Sequence, residues 1–233
     1  MGKKKGNQTS ITAAVTPDLR FVFTAKNNEQ KNMLKVINNN YITFVIGCAG
    51  TGKTHVSIAY SLQQLFRNEY NRIILTRPIV ASENLGWLPG VVENKVKDYF
   101  VPSFTIMSQM IDRESLKILT NGNGIDAKIQ ILPLAFMRGH SFNHTIVVAD
   151  EFQNSSIEQM RLLLTRIGEN CKIIVCGDVT QSDIREKNGL VDAVAKFKEV
   201  AKQNKGIGLV ELTEKSIVRH PIIELIEEVY KKK

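Results

Sequence analysis

Short apolar runs recur along the chain at 43–47, 72–76, 128–132, 145–150, 172–177 and 208–212. Most are rich in Val and Ile at successive positions rather than alternating with polar residues, which is how strands buried on both faces of a parallel sheet read. Segments with apolar residues at helical spacing separate several of them. These run over 55–67, 156–167 and 190–203, and another at 28–37 precedes the first strand with Met33, Leu34 and Ile37 on one face. Strand and helix in alternation predict an α/β fold, a parallel sheet with helices on both faces joined by right-handed crossovers.

The stretch 78–124 breaks the alternation. It contains the turn signals Leu88-Pro89-Gly90, Val101-Pro102 and Asn121-Gly122-Asn123-Gly124, with helix-like pieces at about 91–99 and 102–119 between them. We read it as a helical excursion from the sheet and not as a separate domain. Residues 1–18 are polar, small and basic and read as a flexible tail ahead of one domain over 19–233.

Composition narrows the class. A chain of 233 residues with 43% hydrophobic and 23% charged content can bury one sizeable core. No apolar run approaches the roughly 18–20 residues that a membrane span needs. Met1-Gly2-Lys3-Lys4-Lys5 is not followed by a secretory apolar stretch. Three cysteines, Cys48, Cys171 and Cys176, are too few for a disulfide framework or a zinc cluster, and a reducing, cytoplasmic setting is expected. The net charge of +8, partly in Lys3-Lys4-Lys5 and Lys231-Lys232-Lys233, suits a nucleic-acid partner and equally suits solvated tails on a basic surface.

Gly47-Cys48-Ala49-Gly50-Thr51-Gly52-Lys53-Thr54 lies between the first apolar run and the helical segment after it. Strand, glycine loop, helix is the context that the phosphate-binding G-x-x-x-x-G-K-[ST] loop requires. The amides around Gly47, Ala49, Gly50, Thr51 and Gly52 are expected to cradle phosphate oxygens, helped by the partial positive charge of the helix N-terminus. Lys53 would reach the β- and γ-phosphates, and the Thr54 hydroxyl would hold Mg²⁺.

The apolar run at 145–150 ends in Asp150-Glu151. Asp150 is expected to hold Mg²⁺ beside Thr54. Glu151, pointing elsewhere because successive strand side chains diverge, is expected to orient and deprotonate the attacking water. The competing reading is a carboxylate pair at a helix N-terminus beneath Ser155 and Ser156. Asp178 and Gln181 follow the run at 172–177. Gln181 can sense the γ-phosphate or place water, with Asp178 organising the loop; alternatively the segment is a turn capped by aspartate.

Together these segments resemble the PhoH family of P-loop ATPases, related to the first RecA-like domain of superfamily 1 helicases. The resemblance covers nearly all of 24–230. It rests on Asn28-Glu29-Gln30, the glycine loop, Thr76-Arg77-Pro78-Ile79-Val80 and Leu85-Gly86-Trp87-Leu88-Pro89-Gly90. It rests also on Asp150-Glu151-Phe152-Gln153-Asn154, Gly177-Asp178-Val179-Thr180-Gln181 and Ser216-Ile217-Val218-Arg219-His220-Pro221. Phe152 stands where the family often has Ala, and Trp87 where it has another aromatic.

The resemblance implies a single RecA-like P-loop NTPase domain that binds and hydrolyses ATP. It implies that Gln30 reads adenine, that Arg77 lies near single-stranded nucleic acid, and that Arg219 reaches the nucleotide; His220 is read as structural. A nuclease-like domain and a second RecA-like domain are not expected. The ATP cleft would then close between subunits of a ring, hexameric in the expectation. The resulting reading is an ATPase with Mg²⁺ as cofactor, a motor or remodeller of single-stranded nucleic acid, RNA ahead of DNA. The rivals are an ATP-dependent recruiting switch and, further off, a nucleotide kinase.

Overall fold

The computed structural model describes residues 23–78, 98–121, 127–181 and 188–217, with the single positions 222 and 229. The tail at 1–18, Trp87 with its Leu-Gly-x-Leu-Pro-Gly segment, residues 91–97 of the helix-like piece at 91–99, and Arg219 with His220 lie outside the described residues.

Six strands, β1 (Ile42–Gly47), β2 (Arg72–Thr76), β3 (Ile129–Ile131), β4 (Thr145–Ala149), β5 (Cys171–Gly177) and β6 (Ile207–Leu212), form one sheet. Their order is β3-β2-β4-β5-β1-β6, and every pairing is parallel. Every position of β4 and β5 is buried. At the edge the pattern changes: β6 alternates and exposes Glu211, as a strand with only one paired side allows.

Helices cover both faces. Along β4, Ile146 and Val148 face one core while Val147 and Ala149 face the other, the period of two that a strand imposes. The first core takes Met33 and Ile37 from α1 (Asn28–Asn39), Val56 and Leu62 from α2 (Lys53–Phe66), Met107 from α3 (Val101–Ser108) and Leu119 from α4 (Arg113–Thr120). The second takes Met160 and Leu163 from α5 (Ile157–Leu164), Leu190 and Ala193 from α6 (Gly189–Ala201), and Leu134 and Met137 from a 3-10 turn. Among the described residues no helix is long and apolar enough to cross a membrane.

Local chemistry sets the helix ends. The single helical piece expected over 102–119 is two helices. Asp112 accepts the Ser115 N–H at 2.9 Å and the Ser115 hydroxyl at 2.6 Å, starting α4 afresh. Ser156 and Gln159 form a capping box that starts α5, which stops at Leu164, three residues short of the expected end. At the far end of the sheet the buried Lys172 ammonium donates to the carbonyls of Ile37 (2.6 Å), Asn38 (3.3 Å) and Asn40, where α1 runs out of internal donors. Burial draws its pKa down to about 8. Cys171 and Cys176 are buried free thiols, and Cys48 is partly exposed.

The strand order positions the site. β5 lies between β1 and β4, with Val45 beside Cys176 and Ala149 beside Val175. The loops leaving β1, β5 and β4 therefore emerge side by side at the C-terminal edge of the sheet, where open parallel sheets form their ligand crevice.

Candidate nucleotide-binding site

The glycine loop runs from β1 directly into α2, which starts at Lys53, two residues before the expected start. Gly52, the residue before the helix, has φ 91°, and a Cβ there would lie 2.9 Å from Nε2 of Gln30. Glycine thus meets two demands at once, a left-handed backbone and close approach of the α1 amide. Thr51 is fully buried and its hydroxyl donates to the Cys48 carbonyl at 2.9 Å, so it shapes the loop from inside. Gly47 also shapes the loop, packed against Leu212 of β6. The Lys53 ammonium donates to the carbonyls of Gly47 (2.6 Å) and Cys48 (2.9 Å) and so lies folded over the loop.

The decisive contact spans 96 residues: the Thr54 hydroxyl donates to Oδ1 of Asp150 at 2.8 Å. Asp150 follows β4 and is tied back to β2 through its N–H to the Thr76 carbonyl at 2.9 Å. Burial, with the neighbouring Glu151 carboxylate, raises the Asp150 pKa to about 6 against the opposing Thr54 hydrogen bond. A hydroxyl and a carboxylate in direct contact beside a phosphate loop are hard oxygen donors of the kind Mg²⁺ takes.

Glu151 is not part of a strand, contrary to expectation. It lies beyond β4 with φ 55° and ψ 35°, at the head of a 3-10 turn over Phe152–Asn154. The left-handed backbone, not strand alternation, directs its side chain. Nor does the carboxylate pair sit at the N-terminus of α5, because this turn separates it from the Ser156 cap.

A cavity of about 380 Å³ gathers Gln30, Ala49, Gly50, Gly52, Lys53 and Thr54 with Asp150, Glu151, Asp178 and Gln181. Gln30 is 3% exposed; its Oε1 accepts the Lys26 N–H at 2.9 Å. Asp178 does organise its loop, accepting the Thr180 N–H at 2.9 Å and the Thr180 hydroxyl at 2.6 Å. Arg77 is not among the residues lining the cavity. It donates to the Tyr99 carbonyl at 3.0 Å, with its guanidinium 5.4 Å from the centre of the Tyr99 ring.

The cavity also includes Phe23, Lys26, His55, Ile106 and Gln153, none of which belongs to the expected set of site residues. Phe23 and His55 pack with ring centroids 5.8 Å apart, and burial, with Lys26, lowers the His55 pKa. Two of these residues carry a sequence signal: His55 directly follows Thr54, and Gln153 lies two residues after Glu151 within the Asp150–Asn154 segment that carries the family resemblance.

The family profile described as "PhoH-like protein" matches residues 22–231. The chain belongs to the PhoH-like protein family. This PhoH-like chain is 37% identical over 214 residues to the "PhoH-like protein" of Synechocystis sp., covering 91% of this chain and 63% of that one. It is 35% identical over 203 residues to "Protein PhoH" of Escherichia coli K12, covering 86% of this chain and 56% of that one. The chain thus spans about three-fifths of the length of the curated relatives it matches. The large terminase of a thermophilic bacteriophage superposes with a TM-score of 0.55 at 11% identity, over 89% of this PhoH-like chain and 50% of the terminase chain. That likeness is one of fold. The observed architecture is the RecA-like P-loop fold that the family implies.

Proposed function

We propose that this PhoH-like chain hydrolyses ATP and works as a ring-forming motor or remodeller on single-stranded nucleic acid, RNA ahead of DNA. The observation that carries the reading is the 2.8 Å contact between Thr54 and Asp150 at the mouth of the glycine loop. These two oxygens would hold Mg²⁺ together with phosphate oxygens, and the ion would supply charge neutralisation.

The remaining work falls to side chains. Lys53 would exchange its two loop carbonyls for the β- and γ-phosphate oxygens, while the loop amides hold the phosphates in place. Glu151 would accept a proton from the water attacking the γ-phosphorus as the bond to the β-phosphate oxygen breaks, releasing ADP and phosphate. Gln181 would sense the γ-phosphate or place that water. Gln30, close against Gly52, would bind the base edge. Arg77 would act beside nucleic acid through the surface it forms with Tyr99, and Arg219 would reach the nucleotide within or across a subunit interface.

The test is turnover of ATP by the full chain with Mg²⁺, alone and with single-stranded RNA or DNA. We expect hydrolysis stimulated by strand, and loss of at least about 100-fold in the Glu151→Gln variant, with ATP affinity retained. Unchanged hydrolysis in that variant removes Glu151 from its role. ATP binding with slow turnover indifferent to strand would favour the recruiting-switch reading instead. No affinity for Mg²⁺–ATP would overturn the whole proposal.

A further inference from the structure

Glu151 leaves β4 in a left-handed backbone conformation, so its carboxylate needs a partner to fix its direction. That partner is Gln153, 5% exposed, whose Nε2 donates to Oε2 of Glu151 at 2.5 Å. The same amide has a second commitment. Its Oε1 accepts the backbone N–H of Asp178 at 3.1 Å, the first residue after β5. The two contacts fix which end of the amide is which, since only the NH₂ can donate to a carboxylate and only the carbonyl can accept from an N–H.

On the far side of Asp178 the chain is equally tied. Its side chain holds Thr180, and its carbonyl accepts the Gln181 N–H at 3.2 Å. One short relay therefore runs from the Glu151 carboxylate through a single amide to the loop carrying Gln181. Gly177 makes room for it. A Cβ at that position would lie 2.8 Å from Oε1 of Gln153 and 2.5 Å from Cδ2 of Leu190.

We propose that Gln153 is a positioning residue that sets the direction of the Glu151 carboxylate according to the placement of the Asp178–Gln181 loop. The inference rests on the hydrolytic reading above and deepens it: engagement of a γ-phosphate at Gln181, in the loop after β5, is felt at the carboxylate that follows the neighbouring strand β4. With a nucleoside diphosphate the loop has nothing to engage, and Glu151 stays in its resting contact.

Two substitutions separate this from a packing role. Gln153→Glu keeps an acceptor for the Asp178 N–H but removes the donor to Glu151 and sets two carboxylates together. Gln153→Leu keeps the approximate bulk and removes both contacts. In the full chain we expect kcat for ATP to fall about 10–100-fold in each, with KM and Mg²⁺–ATP affinity within about threefold of wild type. We expect Gln181→Ala combined with Gln153→Glu to be no slower than the slower single variant, because both interrupt one relay. Melting curves on all variants identify any that fail to fold, and the Gln153→Glu result stands alone if Gln153→Leu does.

Near-wild-type kcat in Gln153→Glu, or losses that multiply in the double variant, would overturn the inference while hydrolysis by the wild type stands. Absence of turnover in the wild type would remove the hydrolytic reading and this relay with it.

Discussion

Asp150 sits where a carboxylate is costly and useful at once. Burial and the adjacent Glu151 raise its pKa to about 6 from the ordinary 3.8, so the folded chain without metal holds that proton more tightly than the unfolded chain does. Between about pH 4 and pH 6 the unfolded carboxyl is ionised while the folded one is still protonated, so stability falls as pH rises through this window. The melting temperature in chelator should drop across it, and the Asp150→Asn variant should lack that component. Ligation has the opposite sign, because a metal needs the ionised carboxylate. Affinity for Mg²⁺–ATP should therefore rise from about pH 5.5 to about pH 7.5 in the wild type and stay weak and flat in Asp150→Asn, measured by calorimetric titration. Thr54 and Asp150 could be paired from the sequence because their two motifs are expected to share one ion, and the two side chains do meet. The Gln153 contact could not, because it depends on a left-handed turn at Glu151 that no hydrophobic pattern encodes.

At the scale of elements, the sheet was legible because central strands are written as unbroken apolar runs, and all six lie within a residue of where those runs fall. Helix ends were less legible because caps, not periodicity, decide them. Apolar spacing continues through Ile111 and hides the restart at Asp112, while α5 stops in the middle of its pattern. Lys172 is a second blind spot. A lysine inside an apolar run reads as a solvated edge, yet its four-carbon stem carries the ammonium to the end of α1. Replacing it by Met would keep the bulk and strip the donor from carbonyls at the end of α1. We expect Lys172→Met to lose on the order of 1–3 kcal/mol in urea denaturation. Because α1 also carries Gln30 at its other end, ATP affinity should weaken with it. A variant as stable as wild type would mean that water replaces the ammonium without cost.

At the scale of the whole molecule, the cavity has a charge deficit that bears on assembly. A triphosphate brings several negative charges, and among the described residues lining the cavity the lysines are Lys26 and Lys53, with no arginine. Arg77 is held against Tyr99 and does not line it. Charge developing on the γ-phosphoryl in the transition state calls for a further cation, and a guanidinium is the group best suited to bridge phosphate oxygens. Arg219 of the same chain or of a neighbour is the candidate. If it acts across an interface, nucleotide and neighbour bind the same site from two sides, and each must tighten the other. Solution mass should then shift towards a ring, six times the 26.2 kDa chain in our expectation, when ATP and Mg²⁺ are added. Turnover per chain should rise with protein concentration. Arg219→Ala should depress hydrolysis, abolish that concentration dependence and weaken ATP binding modestly, and mixing it with Lys53→Ala, expected to be inactive in its own site while retaining Arg219, should restore activity in mixed rings. A chain that stays monomeric by light scattering at undiminished turnover would place the arginine in cis and remove the need for a neighbour.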